Sequence, residues 1–263
     1  QELDGILMIG GFTGYKGAYL LRQAAATRPA LSIPIVCMPA PINNDLPGSE
    51  LSVGADTALN SIVRDVDTIK QSAVASQRTF VVEVMGKECG YLALMSGLAT
   101  GAERVYLPEE GITLKDLQVD VEALSASFAR GKRLGLIIRS ENADDVYTTS
   151  FIKALFEREG GDLFDVREAV LGHVQQGGNP SPFDRIQATR LASSSIRQLI
   201  DVANRTEPTG LIAGLRHGKV HFTPLNDLPQ LMEPLARRPR RQDWLDLRPL
   251  AAVMVGRGTS ASG

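Results

Sequence analysis

Short apolar runs punctuate the chain at Ile6–Ile9, Ile33–Met38, Thr79–Val84, Leu134–Ile138 and Leu211–Ala213. They are rich in Ile, Val and Leu, which predicts strands buried on both faces. Between them apolar residues recur at helical spacing over about Tyr15–Thr27, Ser52–Ala73, Cys89–Thr100, Leu114–Ala129, Thr149–Arg158 and Ala188–Ala203. Such alternation predicts an α/β fold of parallel sheets with helices on both faces, joined by right-handed crossovers. Val220–Leu225 reads as a short extra strand after a turn at His217-Gly218, and the small, polar residues 254–263 read as a disordered tail. There is no internal repeat.

The polar residues of interest gather where predicted strands end, the edge at which open α/β sheets carry their chemistry. Ile33–Met38 runs into a proline-bounded loop, Pro39 to Pro47, that presents Asn43, Asn44 and Asp45. Gly10-Gly11-Phe12-Thr13-Gly14 lies at a strand-to-helix junction, where glycines admit a ligand and free N–H groups favour anions. It matches neither the P-loop nor the dinucleotide fingerprint, and Phe12 favours a plain tight turn. Val84-Met85-Gly86-Lys87 repeats the strand-to-glycine pattern, and Glu83 within that apolar strand calls for a structural ion pair. Glu141, after Ile137–Ser140, is placed to accept sugar hydroxyls, with a solvated loop glutamate as the plainer reading. Arg167 and His173, six residues apart, fall on one side if the segment is extended, and with Gly177-Gly178 they make a phosphate site; a buried core histidine is the alternative. Asp184 is a candidate cap for the helix that follows.

Composition narrows the class. The 263 residues suffice for one large domain or two smaller ones. A net charge of −2 gives no sign of a nucleic-acid or membrane surface, and no apolar run nears the ~20 residues that span a bilayer. Two cysteines, Cys37 and Cys89, form no disulfide framework, so they read as buried hydrophobes in a reducing, cytoplasmic setting. The chain opens on Gln1 without a Met, which suggests a processed or excised segment.

The segments PINNDLPGSELSVGADTALN, VVEVMGKECGYLALMSGLATGAE, the RSEN loop and VLGHVQQGGNPSPFDR together resemble, in order, the signatures of the 6-phosphofructokinase family. The resemblance covers about residues 4–250 and is strongest to the carboxy-terminal, regulatory half of the fused eukaryotic-type enzymes, through DTALNSIVRDVDTIKQSA, Tyr147-Thr148-Thr149 and Gln242-Asp243-Trp244-Leu245-Asp246-Leu247-Arg248-Pro249. It implies a two-lobed fold: residues 1–54 with 175–225 as a nucleotide-type lobe, and 56–174 with 226–253 as a sugar-phosphate lobe. It also implies that a preceding strand and glycine loop complete the first lobe.

Departures from the family pattern carry as much as the matches. Catalytic members read Gly-Gly-Asp-Gly-Ser/Thr where this chain has Gly10, Gly11, Phe12, Thr13 and Gly14, a remnant of the nucleotide loop. They read Thr-Ile-Asp-Asn-Asp in the proline-bounded loop, and Asn43 stands at the first Asp, the base, while Asp45 keeps the last. A carboxamide is no base near neutral pH. Gln176 replaces an arginine of the catalytic pattern. Arg78, Met85, Gly86, Glu141, Arg167 and His173 match sugar-phosphate residues, with Arg78 and Arg167 at positions that reach across a subunit interface. Lys87 and either Arg216 or Lys219 are candidates for a second phosphate, and Asn43 borders the same pocket. The resemblance implies fructose 2,6-bisphosphate or fructose 6-phosphate as ligand, Mg2+ and ATP for the whole enzyme with neither certain here, no metal site in this segment, and assembly with a catalytic half and neighbouring subunits into a tetramer or larger. Two alternatives stay open: a scaffold without ligand, and an active half in which Asp45 or a water is the base.

Overall fold

The computed structural model describes residues 3–73, 76–205 and 209–254. The chain divides into two compact units, Gln1–Thr57 with Asn179–Asp243 and Ala58–Gly178 with Trp244–Gly263.

The first unit is built on β1 (Ile6–Gly10) and β2 (Ile35–Pro39), with helix α1 (Phe12–Ala25) between them. Helix α2 (Ala55–Ser72) follows and carries the chain into the second unit. That unit holds β3 (Arg78–Val84), α3 (Tyr91–Thr100), β4 (Arg104–Tyr106), α4 (Leu114–Ala129), β5 (Leu134–Ser140), α5 (Thr149–Gly160) and β6 (Asp165–Val170). The chain returns to the first unit through α6 (Pro182–Ala203), β7 (Gly210–Arg216), β8 (Lys219–Pro224) and α7 (Leu228–Leu231), and ends with α8 (Arg248–Met254) in the second.

The first sheet has the order β1-β2-β7-β8, parallel except for the last pair. Strand β2 is buried throughout and alternates its side chains between two cores. Ile35 and Cys37 pack with Tyr15 and Ala18 of α1, and Val36 and Met38 pack with Leu191 of α6. Burial pushes the Cys37 thiol up to about 12, so it behaves as the small hydrophobe expected. His217 and Gly218 both take positive φ (50° and 71°), giving the two-residue turn whose twist suits the β7–β8 hairpin.

The second sheet is all parallel, in the order β4-β5-β3-β6. Val81, Ile137 and Val166 pack on Leu117, Leu124 and Phe128 of α4 and on Ile152 and Phe156 of α5. Gly97 of α3 lies against Val105, whose neighbour Tyr106 points into that cluster, so α3 covers the other face. Trp244 meets Tyr91 edge-on at 5.9 Å, and Arg248 donates to both Glu110 oxygens (2.7 and 2.8 Å). These contacts tie the carboxy-terminal stretch to the second unit.

Several expectations change. Strands β4 and β6 escape the apolar pattern, β4 because it has three residues and β6 because its DVREAV sequence forms a largely exposed edge. Residues 226–243 belong with the first unit, because Leu228 and Met232 pack beside Tyr15 and Ile35, and residues 175–178 belong with the second. Helix α6 starts at Pro182, before the expected Ala188, with Ser181 as its cap. Asp184 is not that cap. Buried at 3 % exposure, it accepts from the backbone N–H of Gly54 (2.8 Å) and Thr57 (2.7 Å) and so caps α2. Met254 closes α8, and the rest of the expected tail, residues 255–263, lies outside the described residues. Among the described residues no helix is long and apolar enough to cross a membrane.

Candidate functional site

Register decides which residues share the carboxyl edge of the second sheet. Val84 pairs with Ser140, and Glu83 pairs with both Arg139 and Val170, so β5, β3 and β6 stop almost level. Met85–Lys87, Glu141 and the 3-10 turn Gly172–Gln176 therefore emerge side by side. Glu141 Oε1 accepts from the backbone N–H of Lys87 (2.8 Å) and Gly86 (3.3 Å), which fixes the carboxylate with its other oxygen left to meet a donor. Gly86 is required here, since a Cβ would stand 2.3 Å from the Cys89 carbonyl oxygen and 2.8 Å from Ser140 Oγ. Lys87 holds a left-handed conformation (φ 52°) that costs a non-glycine residue about 1 kcal/mol, the kind of strain that collects at functional sites.

His173 is exposed on the 3-10 turn, which excludes the core-histidine reading. The shared side expected for Arg167 and His173 is also overturned, because the strand ends at Val170 and the chain turns at Gly172 (φ 54°). Arg167 pairs in register with Phe80 and Arg78 with Asp165, so both arginines lie about 15–25 Å back along the strands from Met85. They are half-exposed, with Arg167 3.5 Å from Asp165 and 3.8 Å from Glu157, and Arg78 4.0 Å from Asp165. One copy of the chain does not bring these arginines to its own strand ends.

In the first unit the Asn43-Asn44-Asp45 loop is buried, where the sequence suggested presentation. Asn44 builds it: in a left-handed conformation (φ 56°) it donates to the Glu50 carbonyl (3.0 Å) and accepts from Ser52 N–H (2.8 Å). Asn44→Ala loses both bonds and strains the backbone, so stability should fall by about 2–4 kcal/mol, and Asn44→Gly, which tolerates this φ, should cost less. Thermal unfolding of the two variants checks the order. Asn43 is 7 % exposed, and its Oδ1 accepts nothing from the described residues. Arg216 and Lys219 face each other across the end of the hairpin, both exposed, so either side chain serves the same patch.

The phosphofructokinase family profile matches residues 1–199. The chain belongs to the phosphofructokinase family. It is 47% identical over 250 residues to an ATP-dependent 6-phosphofructokinase of Dictyostelium discoideum, covering 94% of this chain and 30% of that protein. Against the human muscle-type enzyme it is 40% identical over 265 residues, covering 97% of this chain and 34% of that one. The phosphofructokinase structure from Saccharomyces cerevisiae superposes with a TM-score of 0.93 at 34% identity, covering 97% of this chain and 35% of that one. The T-state structure from Pichia pastoris gives 0.90 at 38% identity, covering 98% and 31%. The chain thus spans about a third of the length of these relatives.

Phe12 opens α1 and packs against the Tyr15–Ile35 core, and the Arg237 guanidinium lies 5.8 Å from the ring centroid.

Two residues of the site escaped sequence reasoning. Arg139, 1 % exposed, makes five hydrogen bonds: to Glu83 Oε2 (3.0 Å) and to the carbonyls of Ser140, Glu141, Asp144 and Tyr147. Burial lowers its pKa, and Glu83 opposes that shift. Thr149 Oγ1 also donates to Glu83, so the expected ion pair of Glu83 is present and doubly held. The available signal was one charge of each sign inside two neighbouring apolar strands. Gln175, also 1 % exposed, gave no signal, because nothing in VQQGG says which glutamine turns inward.

Proposed function

We propose that this chain is the regulatory, carboxy-terminal part of an ATP-dependent 6-phosphofructokinase. The whole enzyme transfers the γ-phosphoryl of MgATP to the 1-hydroxyl of fructose 6-phosphate, in the cytoplasm, as a tetramer or larger. This part holds fructose 2,6-bisphosphate or fructose 6-phosphate and favours the active state by binding it more tightly. The observation that carries the reading is the contrast between two sites. By the resemblance Asn43 stands at the base position and Phe12, packed against the core, takes the place of the nucleotide loop's carboxylate, while Glu141 is already fixed on the Gly86 and Lys87 amides for a sugar hydroxyl.

A bisphosphate carries about four negative charges if each phosphate contributes roughly −1.5 to −2. Lys87 and His173 stand at the strand ends to meet part of that charge. Arg167, on the edge strand β6, and Arg78, at the start of the inner strand β3 beside it, serve the pocket of a neighbouring subunit. Titration of the intact assembly with fructose 2,6-bisphosphate should give saturable binding that Arg167→Ala weakens at least 30-fold, about 2 kcal/mol for a lost charge-assisted contact, with turnover at saturating fructose 6-phosphate retained. Binding unchanged by the substitution would overturn the assignment. The scaffold reading draws on one observation: Arg167 and Glu141 already have internal partners. Absence of any sugar-phosphate binding would favour it.

A further inference from the structure

The backbone ladder between β3 and β6 ends at Glu83–Val170, with one more bond from Leu171 N–H to the Glu83 carbonyl (3.1 Å). Beyond it the strands part: β3 turns at Gly86 and β6 turns at Gly172. The Gln175 side chain sits in the gap, with its Oε1 accepting from Met85 N–H (3.0 Å) and its Nε2 donating to the Gly172 carbonyl (2.9 Å). A side-chain amide offers the same acceptor and donor as a peptide group, so it adds one more rung after the ladder has stopped. Gln176, its neighbour, points outward, with only a 3.6 Å contact from its amide to the Met85 sulfur.

We infer that Gln175 is a positioning residue: it sets the spacing between the Met85–Lys87 turn and His173 without touching ligand itself. The inference rests on the proposed sugar-phosphate site. Its physical content is that His173 lies on a short turn that starts at a left-handed glycine and is exposed, so little else fixes it. The buried amide is tied at both ends, and its loss frees both loops together.

The test uses the full-length assembly with Gln175→Met, which keeps volume and removes both bonds. Hydrogen–deuterium exchange, read without ligand, should show protection around Met85 falling at least tenfold, and unchanged protection would overturn the inference. Fructose 2,6-bisphosphate titration then completes a double-mutant cycle with His173→Ala. Gln175→Met should weaken binding about tenfold in the wild-type background and less than twofold in the His173→Ala background. Equal losses in both backgrounds would mean that Gln175 only supports the fold, and would also overturn it. If the wild type binds no bisphosphate, the proposed function fails, and so does the role in ligand placement, while the exchange result alone decides whether Gln175 holds the two loops.

Discussion

Replacing Arg139 with alanine should lower the unfolding free energy of the second unit by about 3–5 kcal/mol, the cost of leaving one partner of a buried ion pair behind. Glu83 would lose the opposite charge that satisfies it inside the sheet. Four carbonyls between Ser140 and Tyr147 would lose their donor at the same time. Arg139→Lys should recover only part of the loss, because an ammonium cannot reach four carbonyls and a carboxylate with the geometry of a planar fork. Glu83→Gln with Arg139→Met should cost less than Arg139→Ala alone, since neither residue then leaves a charge unpaired. Denaturant unfolding of the three variants in the full-length protein checks the order. A loss below 1 kcal/mol for Arg139→Ala would show that the loop holds itself. The same loop carries Glu141, so affinity for fructose 2,6-bisphosphate should fall alongside stability.

Gly86→Ala should be nearly as damaging by a different route. The added methyl would meet backbone oxygen at 2.3 Å, which has no flexible side chain to yield, so the Gly86–Cys89 turn must shift. Overpacking of this kind costs about 1–3 kcal/mol. The shift also pulls the Gly86 and Lys87 amides off Glu141, so bisphosphate affinity should fall more than tenfold. Gly17→Ala is the control: inside helix α1 an added Cβ meets nothing within 4 Å, so stability should hold or rise slightly and binding should stay near wild type. Equal tolerance of the two substitutions would mean that the turn after β3 is not the rigid element described here.

The sequence alone determined the fold class, because strands buried on both faces must be apolar throughout and helices that cover them must repeat at 3.6 residues. The five apolar runs of Ile6–Ile9 through Leu211–Ala213 all became strands, and Leu114–Ala129 became a helix with those bounds. The family, too, was legible, since its glycines and strand-end polar residues recur as local words. Local pattern fails where burial is partial, which is why the exposed β6 and the short β4 went unseen. Tertiary structure decided what no local pattern contains. Asp184 caps a helix more than a hundred residues away in sequence, and Arg139 answers Glu83 on the neighbouring strand. Arg167 stays within the edge strand β6, while His173, six residues on, lies on the turn beyond its end. Which side chains meet depends on register between strands and on where a ladder stops, and only the folded sheet fixes either.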